Sequence, residues 1–154
     1  MPVDRECVSC ITDAGPDSPP RDRVHVSSRW RVAHAFGTSV PGWLVVIPRR
    51  HVLALDELTL EESTELGPLL SDLTAALRQV VQCEKTYVAL FAEAEGFEHI
   101  HFHVIPRRPD LDPDFSGPRV FGLLGGDPAG HVPETVRDQI AANLAQALPV
   151  RRLA

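Results

Sequence analysis

"EHIHFHVIPRR", residues 98–108, sets His99, His101 and His103 at alternate positions, with Ile100, Phe102 and Val104 between them. Period two is the signature of a β-strand, whose successive side chains point to opposite faces. The histidines are therefore expected to line one face of a strand over 99–105, while the apolar residues enter a core. Packed imidazoles on one face leave several donors and acceptors to satisfy, so a purely structural role explains this pattern poorly.

Working outward, "KTYVALFA" (85–92) reads as the preceding strand, joined to the histidine strand by a loop in an antiparallel hairpin. Upstream, "RVHVSS" and "RWRVAHAF" read as two short strands turning near Ser27 to Arg29. "GWLVVIP" (42–48) is an apolar, β-branched run that ends on proline, as a central strand should. Thr59 and Glu62 form a capping box for a helix carrying Leu66, Leu69, Leu70, Leu73, Leu77, Val80 and Val81 at helical spacing. Gly67-Pro68 falls inside it, and proline's missing donor predicts a kink or break there. Pro133 opens a last helix over 133–148, with Val136, Ile140, Leu144 and Leu148 on one face. Residues 1–22 form an N-terminal arm, and 107–132, rich in Pro, Asp and Gly, read as an irregular loop. The expected fold is α+β, a mostly antiparallel sheet of about five strands with helices on one face.

The 154 residues suit a single domain, 1–154, with a net charge of -6. That charge argues against general affinity for nucleic acid or anionic membrane, and no stretch is apolar enough to span a bilayer. The N-terminus lacks a secretory apolar run, and three cysteines make no even disulfide framework, so a cytoplasmic location is expected. Cys7 and Cys10 form a Cys-x-x-Cys pair that favours a metal over a permanent bridge. A redox dithiol is disfavoured because the pair does not open a helix after a strand. Cys83 reads as a buried small hydrophobe. "VIPRR" occurs at 46–50 and again at 104–108, so Arg49, Arg50, Arg107 and Arg108 would make a local basic rim if those strand ends meet.

Two chemistries suit the histidine face. All three imidazoles could hold a hydrolytic metal, although such sites usually draw on carboxylates and none follows on that face. Alternatively one histidine is a nucleophile, since neutral imidazole is abundant near neutral pH, attacks phosphorus well and leaves well.

The segment "HIHFHVI" is similar to the His-φ-His-φ-His-φ-φ signature of the histidine triad (HIT) superfamily. "PGWLVVIPRRH" resembles that family's upstream strand, ending in Ile-Pro, two residues and His. The resemblance, running from residue 7 to about 108, implies a HIT-like fold and a hydrolase or nucleotidyl transferase acting at an α-phosphate. Its substrate would be a small nucleotide such as a dinucleoside polyphosphate or a phosphoramidate. By it, His101 would be the nucleophile that forms a covalent nucleotidyl-histidine. His103 would contact the phosphate or assist the leaving group, with the amides of Gly96 and Phe97 on the phosphate. Arg107, from the basic rim, is expected to add a further contact to the phosphate. It further implies one structural zinc ion per chain on Cys7, Cys10, His51 and His99, and a homodimer. The Cys₂His₂ set fills a tetrahedral shell, leaving no water position.

The chain departs from the family at three places. Ala35 stands where an acidic residue would hold the ribose hydroxyls, Glu95 and Gly96 replace an amide and a hydroxyl before the triad, and Trp43 replaces a frequent His. These departures imply binding dominated by phosphate and weak discrimination among nucleosides. They also keep open a rival reading, a zinc-stabilised nucleotide-binding or regulatory protein with little turnover.

Overall fold

The computed structural model describes residues 7–13 and 15–149; of the arm expected over 1–22 and the domain expected over 1–154, residues 1–6, 14 and 150–154 lie outside these. A five-stranded sheet is built from β1 (His25–Val26), β2 (Trp30–His34), β3 (Leu44–Pro48), β4 (Lys85–Ala89) and β5 (Phe102–Arg107). The order across it is β1-β2-β3-β5-β4, and every pair is antiparallel. The short helix α1 (Val8–Ile11) belongs to the arm, whereas α2 (Leu60–Val81) and α3 (Glu134–Ala147) pack together on one face. The α+β class expected from the pattern is the one observed.

Local chemistry sets these boundaries. The β1–β2 turn is closed by Ser27, whose Oγ accepts from the amides of Arg29 and Trp30 at 3.2 and 3.0 Å. Helix α2 starts on a reciprocal capping box, Thr59 Oγ1 accepting from the Glu62 amide and the Glu62 carboxylate from the Thr59 amide. It then runs through Pro68 without the break that is one of the two outcomes expected there. Gly67 and Pro68 sit on the exposed side, as does Thr64, whose carbonyl loses the helical donor, so water can replace the missing bond. In α3, Ile140 and Leu144 are buried as expected, but Val136 in the first turn stays 41% exposed.

Between sheet and helices lies the main core, where Trp30, Val32, Leu44, Val46, Phe102 and Val104 meet Leu69, Leu73, Leu77, Ile140 and Leu144. The opposite face carries a smaller cluster around Ala35, Trp43, Ile105 and Val120. Val120 comes from the 107–132 segment, which folds into 3-10 turns at Pro113–Phe115, Gly117–Leu123 and Pro128–Gly130 and covers part of this second face. Gly42, just before β3, has φ +87, and a Cβ there would sit 3.1 Å from Val81 Cγ1 and 3.3 Å from Pro106 Cγ. Only glycine serves both the left-handed backbone and that close approach.

The histidine strand begins later than its alternation predicts. The β3–β5 ladder stops at Val46 opposite Phe102, and residues 99–101 turn to other partners. Ile100 N–H donates to the Val52 carbonyl at 2.9 Å, and the ring of His99 takes the Pro48 carbonyl at 2.9 Å. The alternation of faces persists beyond the ladder, with Ile100 buried in the main core beside Phe102 and Val104.

Candidate functional site

On the face away from the helices, β2, β3 and the histidine segment floor a cavity of about 510 Å³. His101 and His103 both line it, His101 half-buried and His103 buried. Their rings stand edge to face with centroids 4.8 Å apart. His101 Nδ1 lies 2.9 Å from the His99 carbonyl, which can only accept, so Nδ1 carries the proton. That leaves Nε2 as the ring's lone pair, a nucleophile presented without a base to activate it.

The second imidazole is set the other way round. Trp43 Nε1–H can only donate, and it does so to His103 Nδ1 at 3.0 Å, so the His103 proton sits on Nε2. Burial, with the neighbouring His101 as the smaller cause, pushes the His103 pKa down to about 4. His103 is thus a neutral N–H donor near neutral pH, held between Trp43 and Phe121 by edge-to-face ring contacts at 5.7 and 5.0 Å. A lone pair aimed at phosphorus and a fixed donor for one of its oxygens are what in-line attack at a phosphate needs.

Other expected contacts fall differently. Phe97 N–H donates to the Ala94 carbonyl at 2.8 Å within its own turn, so this amide is already used, whereas Gly96 N–H meets no acceptor among the described residues. The Phe97 ring lines the cavity instead and leans on Phe36 with centroids 6.1 Å apart. Exposed Glu95 is not part of the lining. Ala35 does line the cavity, with no carboxylate to offer a ribose. The basic rim does not form. Because β3 and β5 run antiparallel, the two "VIPRR" ends lie at opposite ends of the sheet. Arg49 pairs with Asp13, Arg50 with Glu62, Arg107 with Glu84 and Arg108 with Asp110, at 2.8–3.1 Å. Arg107, expected on the phosphate, is outside the cavity.

The arm brings the second cluster. Cys7, Cys10, His51 and His99 present four ligand atoms within 4.8 Å of one another. Sulfur-to-Nδ1 distances are 3.5 Å for Cys7–His99, 3.6 Å for Cys10–His99 and 3.3 Å for Cys10–His51. Tetrahedral zinc with Zn–S of about 2.3 Å and Zn–N of about 2.0–2.1 Å spaces S and N about 3.5 Å apart, so the set fits the ion. The Pro48 carbonyl accepts the His99 Nε2 proton, which turns the Nδ1 lone pair toward the sulfurs, as an outer partner of a metal ligand does. An ion here would tie the arm to the sheet. Cys7 is the N-cap of the four-residue helix α1 and Cys10 lies in its first turn; no described strand precedes the pair.

One cavity residue escaped the motif reading. Arg31 on β2 is only 3% exposed, yet it lines the cavity along with Asp22 and with Ser9 and Thr12 of the arm. Its signal was present in "RWRVAH": Trp30 and Val32 enter the main core, so Arg31 and Ala33 must face the other side.

Comparison with known proteins places this geometry. The sequence matches the family model of the HIT domain over residues 21–110. No curated protein sequence matches significantly. Among solved structures, the chain is similar to a histidine triad (HIT) protein from Sinorhizobium meliloti 1021, at 24% identity, TM-score 0.68, covering 82% of this chain and 89% of that one. A Zn-bound histidine triad family protein from Mycobacterium smegmatis matches at 21% identity and TM-score 0.64, over 91% and 94% of the two chains. A hypothetical histidine triad nucleotide-binding protein from Sulfolobus tokodaii strain 7 matches at 14% identity and TM-score 0.60, over 80% of each. The family match supports a nucleotide-binding or hydrolase-type function at family level. With the HIT model spanning more than half of its length and the fold shared, this chain belongs to the HIT family.

Proposed function

We propose that this protein is a hydrolase or nucleotidyl transferase that cleaves a nucleotide phosphoanhydride or phosphoramidate at the α-phosphate, as in a dinucleoside polyphosphate. The observation that carries the reading is the pair of opposed imidazole tautomers, His101 with a bare Nε2 and His103 with Nε2–H, side by side in one cavity. His101 Nε2 attacks the α-phosphorus, a P–N bond forms, and the bond to the leaving group breaks. Water then attacks the same phosphorus, the P–N bond breaks, and nucleoside monophosphate leaves with His101 restored. His103 holds a non-bridging or leaving oxygen as a neutral donor, and the Gly96 amide is the backbone group left to assist it.

Zinc on Cys7, Cys10, His51 and His99 is structural in this reading, one ion per chain, and contributes charge and rigidity away from the reacting phosphorus. Residues 1–154 act as one HIT-like domain, the chain works in the cytoplasm, as its sequence composition suggests, and it forms a homodimer, as the family resemblance implies. No helix among the described residues is long and apolar enough to cross a membrane.

Ala35 and the occupied Phe97 amide favour one rival, a zinc-stabilised nucleotide-binding protein with little turnover. A screen of dinucleoside polyphosphates and nucleoside phosphoramidates separates the two. Turnover by the native chain, lost in His101→Asn with the melting temperature kept, is the expected result. Binding without turnover, or a His101→Asn variant with native turnover, refutes the nucleophile assignment.

A further inference from the structure

The β2 side of the cavity holds a donor and an acceptor that the phosphate chemistry does not use. Arg31 pairs with Ile47 across β2–β3, and His103 with Val45 across β3–β5, whose ladder ends at Phe102. His101, one residue beyond that ladder, and Arg31 line the same cavity from opposite sides of β3, about two strand spacings or roughly 9–10 Å apart between Cα atoms. A nucleoside monophosphate with its phosphorus at His101 spans that distance, its base lying over Ala33, Val45 and Ile47, all of which line the cavity.

Arg31 is held rigidly at this end. Its Nη2 donates to the Ser9 carbonyl at 3.3 Å and to Thr12 Oγ1 at 3.2 Å, and its Nε faces Asp13 at 3.5 Å. The remaining nitrogen, Nη1, donates to no described residue. Asp22 lines the same cavity, its charge acts on the Arg31 guanidinium, and its carboxylate accepts no hydrogen bond from a described residue. Arg31 thus keeps one donor nitrogen and Asp22 its carboxylate in the cavity that both line, and the ion pair of Arg31 is with Asp13 rather than Asp22.

We propose that Arg31 and Asp22 form a base-reading subsite that selects a nucleobase with a carbonyl beside a ring N–H, guanine above all, over adenine. The inference rests on the proposed placement of the phosphate at His101. Guanine offers O6 and N7 to a guanidinium, and its N1–H and amino group to a carboxylate. Adenine reverses both: its amino group meets the cation, and its N1 lone pair meets the carboxylate. Uracil shares only the carbonyl beside a ring N–H, with a second carbonyl where guanine has its amino group, and ranks second. Base selection thus replaces the weak discrimination expected from the missing ribose carboxylate at Ala35, because the selecting residues lie on β2 and in the turn before β1, outside the triad motifs.

The test is calorimetric binding of GMP, UMP and AMP to the zinc-loaded full-length protein, to Asp22→Asn and to Arg31→Met. GMP should bind at least about tenfold more tightly than AMP to the native chain. Either variant should bring the two within about threefold, mainly by weakening GMP. Asp22→Asn leaves the Arg31 contacts to the arm in place, so a loss of preference there is not a folding effect. Equal binding of GMP and AMP, binding of neither, or a preference that survives both variants overturns the subsite. Covalent labelling separates this from the catalytic reading. Selective GMP binding without any adduct at His101 keeps the subsite and refutes the hydrolase, whereas adducts formed equally from adenosine and guanosine phosphoramidates do the reverse.

Discussion

Replacing Trp43 by Phe tests the donor role of His103, because it removes one N–H and little else from the site. The indole is fully buried, and its Nε1–H donates to His103 Nδ1 at 3.0 Å. Without it, a buried imidazole nitrogen loses its partner, which costs about 1–3 kcal/mol. The smaller ring also loosens the contact with Phe121, whose centroid lies 5.4 Å away, adding about 1 kcal/mol. A loss of about 2–4 kcal/mol lowers the melting temperature of a domain of this size by roughly 5–15 °C. Burial keeps the His103 pKa at about 4 in the native protein. The indole N–H opposes protonation of Nδ1 as well, so its removal should raise that pKa by about one unit. The proton is then free to occupy Nδ1, which turns a bare Nε2 toward the substrate and lowers turnover by at least about tenfold. Long-range ¹H–¹⁵N NMR of histidine-labelled protein reads both tautomers. A Trp43→Phe protein that keeps Nε2–H on His103 with unchanged stability and pKa refutes the assignment.

Two further outcomes follow from the buried imidazoles and the arm. The Cys7→Ser, Cys10→Ser double variant should lose its zinc by metal analysis and melt about 5–10 °C lower, while the folded fraction keeps most of its turnover per molecule; unchanged metal content refutes the ligand set. Burial pushes the pKa of His34 from 6.5 to about 4, as it does for His103. Below pH 6.5 the unfolded chain binds these protons first, so stability is full above that pH and falls as pH drops toward about 4, by on the order of 3 kcal/mol per group. Glu62, held down mainly by its hydrogen bond to Arg50, adds a loss at still lower pH. Urea midpoints at pH 7.5 and 4.5 check this, and equal midpoints refute it.

What the sequence made legible was whatever local periodicity encodes. Alternation in "HIHFHV" placed Ile100, Phe102 and Val104 in the core and His101 and His103 on the cavity side. Thr59 and Glu62 announced their helix because a capping box is satisfied within one turn. The family resemblance carried the Cys₂His₂ set, and Cys7, Cys10, His51 and His99 do converge. Quantities that depend on neighbours distant in sequence were not legible. The start of β5 depends on Val52 and Pro48 carbonyls, and the fate of each arginine depends on whichever carboxylate the fold brings near. Pro68 was tolerated because its side of α2 faces water. Arg31 escaped notice because a charge in a strand carries no meaning until the opposite face is known to be a cavity.

The covalent step is the centre of the proposal, and one measurement reaches it directly. Native protein and His103→Ala are mixed with a guanosine 5′-phosphoramidate, quenched in base within milliseconds to seconds, and examined by intact-mass and peptide mass spectrometry. A mass gain of one guanylyl group, guanosine monophosphate less one water, on the peptide bearing His101, absent in His101→Asn, is the result expected. Product formed with no adduct at any time point, or an adduct that persists in His101→Asn, contradicts a nucleophilic His101.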